Sequence, residues 1–198
     1  VIWFDSVKKD KSTLLETLKD VDTSRVSFYF EKFPTDLLPN IHLFVMSPGV
    51  SLEQTYLEES KQFNIPIWGE VELAYRCSKG KVIAITGTNG KTTTTSLVGE
   101  IMKSYFKEVF VVGNIGLPYT SVALHTSEDS IIVAETSSYQ LETIHDFKPI
   151  VSAVLNITPD HLMRHRTIEN YAHMKEQVSK NQSTDSVVIY NYDDNYTR

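Results

Sequence analysis

The chain has 198 residues, 41% of them hydrophobic and 22% charged, with a formal net charge of −6. That length suits one large or two small packed domains; the acidic balance speaks against a non-specific nucleic-acid binder, and no apolar run is long enough to span a bilayer. The single cysteine, Cys77, excludes an internal disulfide framework and a cysteine metal cluster; with no basic-then-apolar leader at the start, it points to a reducing cytoplasm.

In chain order, apolar runs predict strands at Val1–Phe4, Ser27–Phe30, Leu43–Met46, Val82–Thr86, Val109–Val112, Ser130–Ala134, Val151–Asn156 and Val187–Tyr190. Helical patterns fall between them, around Ser12–Lys19, Leu52–Gln62, Lys91–Tyr105, Leu117–Leu124 and Thr167–Lys180. Strands of continuous apolar character alternating with helices predict the α/β class, with mostly parallel sheets covered by helices. A short polar stretch, RCSKGK at 76–81, reads as a boundary between a small α/β domain over 1–78 and a nucleotide-type α/β domain over 79–198. The opening VIWFD reads as a strand with no polar lead-in, and the chain stops soon after SVVIYNYDD, so a fragment of a longer protein is expected.

The segment ITGTNGKTTTT, residues 85–95, follows the strand KVIAIT and precedes a helix whose apolar residues Leu97, Val98, Ile101, Met102 and Tyr105 share a face. A glycine-containing turn from a parallel strand into a helix gathers amide N–H groups and a helix N-terminus at one point, which attracts phosphate. Gly87 and Gly90 let the backbone turn and approach closely, Lys91 can reach terminal phosphates, and the Thr92 hydroxyl can serve Mg2+. The usual loop pattern places its first glycine five residues before the second, where this chain has Ile85, so an ordinary tight turn stays open as the lesser reading.

Three further residues stand out. Glu135 ends the apolar run IIVA at a predicted strand's carboxyl edge, where ligands of open α/β sheets bind and where a carboxylate can hold Mg2+; alone, it reads slightly better as a solvated strand end. His161, in LNITPDHLMRH, opens at the same edge as a metal ligand, a base or a surface residue, and alone the surface reading leads. Lys175 falls on the apolar stripe of Ile168, Tyr171, Ala172 and Val178, where the pattern alone favours a snorkelling side chain over one facing an anionic or metal site.

Taken together, TGTNGKTTTT, VGNIGLP (112–118), AETSSYQLE (134–142), LNITPDHL (155–162) and MSPGVSLE (46–53) resemble the Mur ligases, whose phosphate loop has the same shortened form. The resemblance covers nearly the whole chain. It implies a partial Rossmann-like N-terminal domain for the uridine-containing substrate, followed by part of a central ATPase domain of the phosphate-loop type. It implies ATP-dependent joining of D-glutamate to UDP-N-acetylmuramoyl-L-alanine through an acyl phosphate, a cytoplasmic step in peptidoglycan precursor synthesis, by a protein that is monomeric when full length. Residue by residue, it implies that Gly87, Thr88, Asn89, Gly90, Lys91, Thr92, Thr93 and Thr94 wrap the ATP phosphates and that Thr92, Glu135 and His161 serve the metals. Lys175 would be carbamylated and join them, while Asn114 and Ser137 would touch the muramoyl-alanine part, and Ser47, Pro48, Gly49 and Asp5 would lie near uridine. Lys91, His161 and Lys175 are the expected catalytic set.

Two positions depart from the family pattern: Met163 stands where Asp is common, and Arg166 where Gly is common. The family's first strand would precede Val1, and the rest of the ATPase domain and the D-glutamate domain would follow Arg198, so the 198 residues by themselves are expected to lack ligase activity. Other amide ligases of the superfamily, of the folylpolyglutamate or cyanophycin type, and a non-catalytic nucleotide-binding protein remain alternatives at this stage.

Overall fold

The computed structural model describes residues 1–197. Its elements run β1 (Ile2–Asp5), α1 (Lys11–Thr17), β2 (Ser27–Phe30), β3 (Phe44–Met46), α2 (Thr55–Ser60), β4 (Ile67–Gly69), α3 (Glu70–Cys77), β5 (Lys81–Thr86) and α4 (Lys91–Lys103). They continue with β6 (Val109–Gly113), α5 (Tyr119–Ala123), β7 (Ile131–Glu135), α6 (Ser138–Leu141), β8 (Val151–Val154), α7 (Leu162–His165), α8 (Ile168–Glu176) and β9 (Val187–Tyr190). All strand pairs among the described residues are parallel, as the alternating pattern predicts.

Two compact units are present: residues 1–43 with 51–66, and residues 44–50 with 67 onward. In the first, β1 pairs with β2 in the register Ile2↔Ser27 to Asp5↔Phe30. Its core is aromatic: Phe33 stacks on Tyr56 with centroids 4.6 Å apart, and Phe4 meets both rings edge-on. Leu38 and Leu57 are buried in the same unit. Asp10 caps α1 by accepting the Thr13 N–H at 3.0 Å.

The second unit holds a five-stranded sheet in the order β6-β7-β5-β8-β9. β7 is buried along its whole length, which is why IIVAE reads as a continuous apolar run rather than an alternation. On one face α4 lays Val98 and Met102 over Ile85, Ile131, Val133 and Ala153. The other face carries the larger core, where Val71 and Ala74 of α3 join Val82, Ala84 and Ile132 of the sheet and Tyr119, Val122 and Ala123 of α5. So α3, which runs into the 76–81 stretch, packs within this second unit. A buried carboxylate fixes it there. Glu72 accepts the N–H groups of His145, Asp146 and Phe147 at 2.8, 2.9 and 3.0 Å and the Arg76 Nε–H at 2.7 Å. Burial alone would push its carboxyl up, but these donors outweigh burial and hold it below the usual carboxylate range.

β5 sits in the middle of the sheet, with the next two strands on one side and β8 on the other. The connection therefore reverses direction at β5, and a crevice opens outside the carboxyl ends of β5, β7 and β8. β8 ends at Val154, two residues before the expected limit of Asn156, because Asn156 leaves the ladder to bond Asn89 across that crevice. The strand β4 and the helices α3, α6 and α7 have no counterpart among the elements expected from sequence.

Candidate functional site

The chain turns from β5 into α4 through Gly87, at φ 149°, and Gly90, at φ 79°, which stands at the helix N-cap. At Gly87 a Cβ would meet the Leu155 Cβ at 3.0 Å and its backbone nitrogen at 3.3 Å, so both conformation and space call for glycine. The loop is cross-tied to the segment after β8. The Thr88 N–H donates to the Asn156 carbonyl at 2.9 Å, the Asn89 N–H to Asn156 Oδ1 at 2.8 Å, and the Asn156 amide returns a bond to the Asn89 carbonyl at 3.0 Å. The Thr158 N–H donates to Thr88 Oγ1 at 3.0 Å. Loop shape is thus fixed by protein contacts before any ligand arrives. The N–H groups of Lys91, Thr92 and Thr93 form the first turn of α4, ahead of the bond from Thr94 N to the Gly90 carbonyl at 3.0 Å. Lys91 Nζ donates to the Thr88 carbonyl at 2.8 Å and makes no ion pair among the described residues. A helix start whose first-turn amides await a partner, beside a lysine with no carboxylate partner among the described residues, is chemically suited to phosphate.

Glu135 ends β7 beside Ile85 of β5 and Gly113 of β6. It is 1% exposed, so it is a nearly buried carboxylate rather than a solvated strand end. Thr92 Oγ1 donates to its Oε2 at 3.0 Å and Asn114 Nδ2 to its Oε1 at 2.9 Å, while the Asn114 N–H holds the Glu135 carbonyl at 3.0 Å. Both of these side-chain donors are neutral, and a buried carboxylate with only neutral donors is short of a cation. The hydroxyl and carboxylate oxygens of Thr92 and Glu135 are the hard donors that Mg2+ takes. Among the described residues no group of three or more His, Cys, Asp or Glu side chains could hold a metal by itself. An ion here would complete its shell from water and from a bound anion.

Lys175 does not snorkel. It is 1% exposed, its Nζ donates to the Gly87 carbonyl at 2.7 Å, and it lies 4.5 Å over the Tyr171 ring. Burial first, and the Lys91 charge second, push its ammonium down to about 7, against the opposing pull of Asp160 and Glu135. α8 thus places a readily deprotonated amine against the backbone of the glycine loop.

His161 opens at the same edge, at the N-cap of α7 with φ 52°. Its ring is half exposed, 3.5 Å from Asp160 Oδ2 and 5.0 Å from the Tyr139 ring, and it makes no hydrogen bond to Glu135 or Lys175 among the described residues. Asn114 joins Glu135 as described, whereas Ser137 is occupied as the N-cap of α6, exchanging bonds with Gln140 in a capping box. Ser47, Pro48 and Gly49 form a tight turn after β3, closed by the Val50 N–H on the Ser47 carbonyl at 3.0 Å, with Ser47 and Gly49 exposed. Asp5 belongs to the first unit, where it accepts the Val7 N–H at 2.8 Å.

The two departures have different consequences. Met163 is fully exposed. Arg166 sits at φ 69° and ψ −46° with the Thr167 N–H bonded to the His165 carbonyl at 2.8 Å, a γ-turn of the rare, strained hand that glycine adopts at less cost. Sequence reasoning missed His165, which is 6% exposed. Its Nε2 lies 2.9 Å from Ser138 Oγ and its ring stacks on Tyr139, and burial foremost pushes its imidazolium down. Only its spacing four residues after His161 hinted at it.

The model of the Mur ligase middle domain matches residues 85–198. Among curated relatives, the UDP-N-acetylmuramoylalanine--D-glutamate ligase of Lachnoclostridium phytofermentans is 58% identical over 164 residues, covering 83% of this chain and 36% of the relative. The ligase of the same name from Lachnospira eligens is 50% identical over 196 residues, covering 99% of this chain and 43% of the relative. The chain therefore spans well under half the length of these relatives. Of solved structures, the UDP-N-acetylmuramate:L-alanyl-gamma-D-glutamyl-meso-diaminopimelate ligase from Neisseria meningitides aligns with a TM-score of 0.61 at 15% identity, over 99% of this chain and 64% of that one. The MurF ligase from Thermotoga maritima in complex with ADP aligns at 0.54 and 18% identity, over 98% of this chain and 43% of that one. At such identities the likeness speaks to fold alone. More than half of the chain, including the glycine loop, Glu135, His161 and Lys175, lies within the matched domain, and the chain belongs to the Mur ligase family.

Proposed function

We propose that the chain is the nucleotide-side and acceptor-side portion of an ATP-dependent ligase that joins D-glutamate to UDP-N-acetylmuramoyl-L-alanine in peptidoglycan precursor synthesis. The observation that carries this reading is the buried Glu135, bonded to Asn114 and to Thr92, the neighbour in sequence of Lys91, which makes no ion pair among the described residues. The names of the relatives at 50–58% identity supply the substrates. Residues Gly87 to Thr94 cradle the ATP phosphates, with the first-turn amides of α4 and the Lys91 ammonium facing the β/γ end. Thr92 and Glu135 would hold Mg2+, and His161 and Lys175 would serve a metal at the same edge. Bound Mg2+ neutralises phosphate charge, so that an anionic carboxylate can approach.

Asn114 and Ser137 contact the muramoyl-alanine part, and Ser47, Pro48, Gly49 and Asp5 lie toward uridine. The substrate carboxylate attacks the γ-phosphorus and ADP leaves; Lys91 stabilises the negative charge that builds there. The D-glutamate amine then attacks the acyl carbon, phosphate departs with its bonding pair, and the amine's proton passes to solvent. Lys175 carries a carbamate: its neutral Nζ lone pair attacks CO2, an N–C bond forms, and one N–H proton is released. An ammonium depressed to about 7 makes that neutral amine plentiful near neutral pH. The protein acts in the cytoplasm as a monomer, and no helix among the described residues is long and apolar enough to cross a membrane.

The test uses a polypeptide of the relatives' length carrying these residues, supplied with ATP, Mg2+, UDP-N-acetylmuramoyl-L-alanine and D-glutamate. ADP release that requires both substrates is expected, and the 198 residues by themselves are expected to give none. Turnover with a folylpolyglutamate-type acceptor in place of the muramoyl substrate, or none with either, would refute the reading.

A further inference from the structure

Arg164 is unlike the residues around it. It lies on α7, a four-residue helix too short to orient itself by its own hydrogen bonds. Its guanidinium makes a two-point contact with Glu142, Nε to Oε1 at 3.2 Å and Nη2 to Oε2 at 2.6 Å, and sits 5.7 Å from the Tyr139 ring centroid. Both partners are largely buried, with side chains 21% and 12% exposed. Nη2 also donates to the Val50 carbonyl at 3.3 Å. One planar group thus ties three segments far apart in sequence: the Ser47–Val50 turn after β3, the end of the SSYQLE segment at Glu142, and the helix that starts at His161. An arginine can do this because two of its five donors take a carboxylate while another, held in the same plane, points elsewhere; a lysine ammonium has no such fork.

We propose that Arg164 is a positioning residue for the acceptor substrate: anchored on Glu142, it holds the Ser47–Val50 turn through the Val50 carbonyl and registers that turn to the His161 segment. This rests on the reading above that the turn lies toward the uridine end of the substrate. The turn is otherwise lightly held. Its Ser47 and Gly49 are exposed, and a Cβ built at Gly49 meets nothing within 4 Å. A turn in open space gains most from an external tie, since ordering it on binding is otherwise charged against affinity. The phosphate loop has its own ties to Asn156 and Thr158 and does not depend on Arg164.

The test compares wild type with Arg164→Lys and Glu142→Gln in the full-length ligase, by steady-state kinetics and by hydrogen–deuterium exchange. With Arg164→Lys the KM for the UDP-linked acceptor is expected to rise about tenfold, the loss of one charge-assisted bond, with kcat and the KM values for ATP and D-glutamate within about twofold. Exchange at the amides of residues 47–50 is expected to quicken while that of 87–94 is unchanged. Glu142→Gln, which keeps the shape of the pair, is expected to move the same quantities in the same direction, and it decides the question if Arg164→Lys does not fold. An acceptor KM that stays put, or KM values for ATP and acceptor that climb together, would overturn the proposal. If the wild type does not use the UDP-linked acceptor, the functional reading fails separately, and unchanged exchange at 47–50 in the variants would overturn the positioning role on its own.

Discussion

Replacing Lys175 by methionine gives a test of the site that needs no substrate. The lysine's ordinary value is 10.5 and its folded value is about 7. That gap corresponds to about 5 kcal/mol of preference for the neutral amine in the folded state. The sign follows from proton counts. Between about pH 7 and about 10.5 the unfolded chain holds a proton on this lysine that the folded chain has lost, so stability rises with pH across that window, by up to about 1.4 kcal/mol per pH unit. Below about pH 7 both states are protonated and the full penalty stands. Methionine has similar length and no charge, so the penalty disappears at every pH. Against this, the Gly87 carbonyl loses the bond it accepts at 2.7 Å, a loss of about 1–3 kcal/mol. The variant should therefore be more stable than wild type by about 3 kcal/mol near pH 6.5, with the advantage gone or reversed near pH 9.5. Urea unfolding in CO2-free buffer measures it. Trp68 lies in β4 of the second unit, and with only two tryptophans in the chain a Trp3→Phe background makes its fluorescence specific. Stability curves of wild type and variant that run parallel over this range would refute a buried, readily deprotonated lysine.

Three further substitutions and one ligand titration extend this. Lys91→Ala should weaken binding of ATP with Mg2+ by about ten- to a hundredfold, the range for a lost charged hydrogen bond, and equal affinities by calorimetry would exclude a phosphate role. Glu135→Gln should raise the Mg2+ concentration needed for half-maximal activity of the full-length enzyme, because a carboxylate ligand becomes a neutral amide; an unchanged Mg2+ dependence rules out metal binding there. Arg166→Gly should stabilise the chain by up to about 2 kcal/mol, since relief of positive-φ strain of about 1–3 kcal/mol exceeds the added freedom of glycine in the unfolded state, and a lower melting temperature would contradict the strain. A carbamate signal from 13C-bicarbonate at Lys175 should grow as Mg2+ is added, and a signal insensitive to Mg2+ or absent altogether would separate the lysine from the metal.

The parallel α/β class and eight of the strands are legible because buried strands write themselves as continuous apolar runs, IIVAE most clearly. The glycine turn from β5 into α4 is legible because it is local: strand, glycines, lysine and helix start follow one another in sequence. What escapes is short or non-local. β4 has three residues and follows Pro66, while α6 and α7 have four each, less than any window in which a period can be recognised. α3 carries Val71 and Ala74 on its buried side, but the charges of Glu70, Glu72 and Arg76 around them blur the stripe, and Glu72 is itself buried against a segment more than seventy residues away. Lys175 shows the limit most clearly. Its helical spacing says that it faces inward, but whether an inward lysine snorkels depends on what closes over it, here Tyr171 and the carbonyl of Gly87, eighty-eight residues earlier.

The charges at this edge couple a metal to a modified lysine. The Lys91 charge disfavours the proton on Lys175, with Glu135 as the buried carboxylate between them in chain order. Left so, the edge is cationic where phosphate would arrive, which suits binding but offers Mg2+ one carboxylate only. A carbamate at Lys175 exchanges a buried ammonium for a buried carboxylate. By itself that is unfavourable: it removes a cation from the neighbourhood of Glu135 and places a second anion there, in surroundings where an unpaired charge is costly. A divalent cation at this edge would reverse the balance, because the carbamate, like Glu135, would then face a charge that it favours. Each event makes the other easier, and the two free-energy changes are equal by linkage: whatever factor Mg2+ adds to carbamate occupancy, the carbamate must add to Mg2+ affinity. Phosphate binding lies largely outside that pair, since the loop amides and Lys91 are held by Asn156, Thr158 and Thr88 and the loop's one tie to Lys175 is at the Gly87 carbonyl. ATP affinity without metal should therefore depend on Lys91 and stay nearly indifferent to CO2, while metal affinity should depend on CO2 strongly.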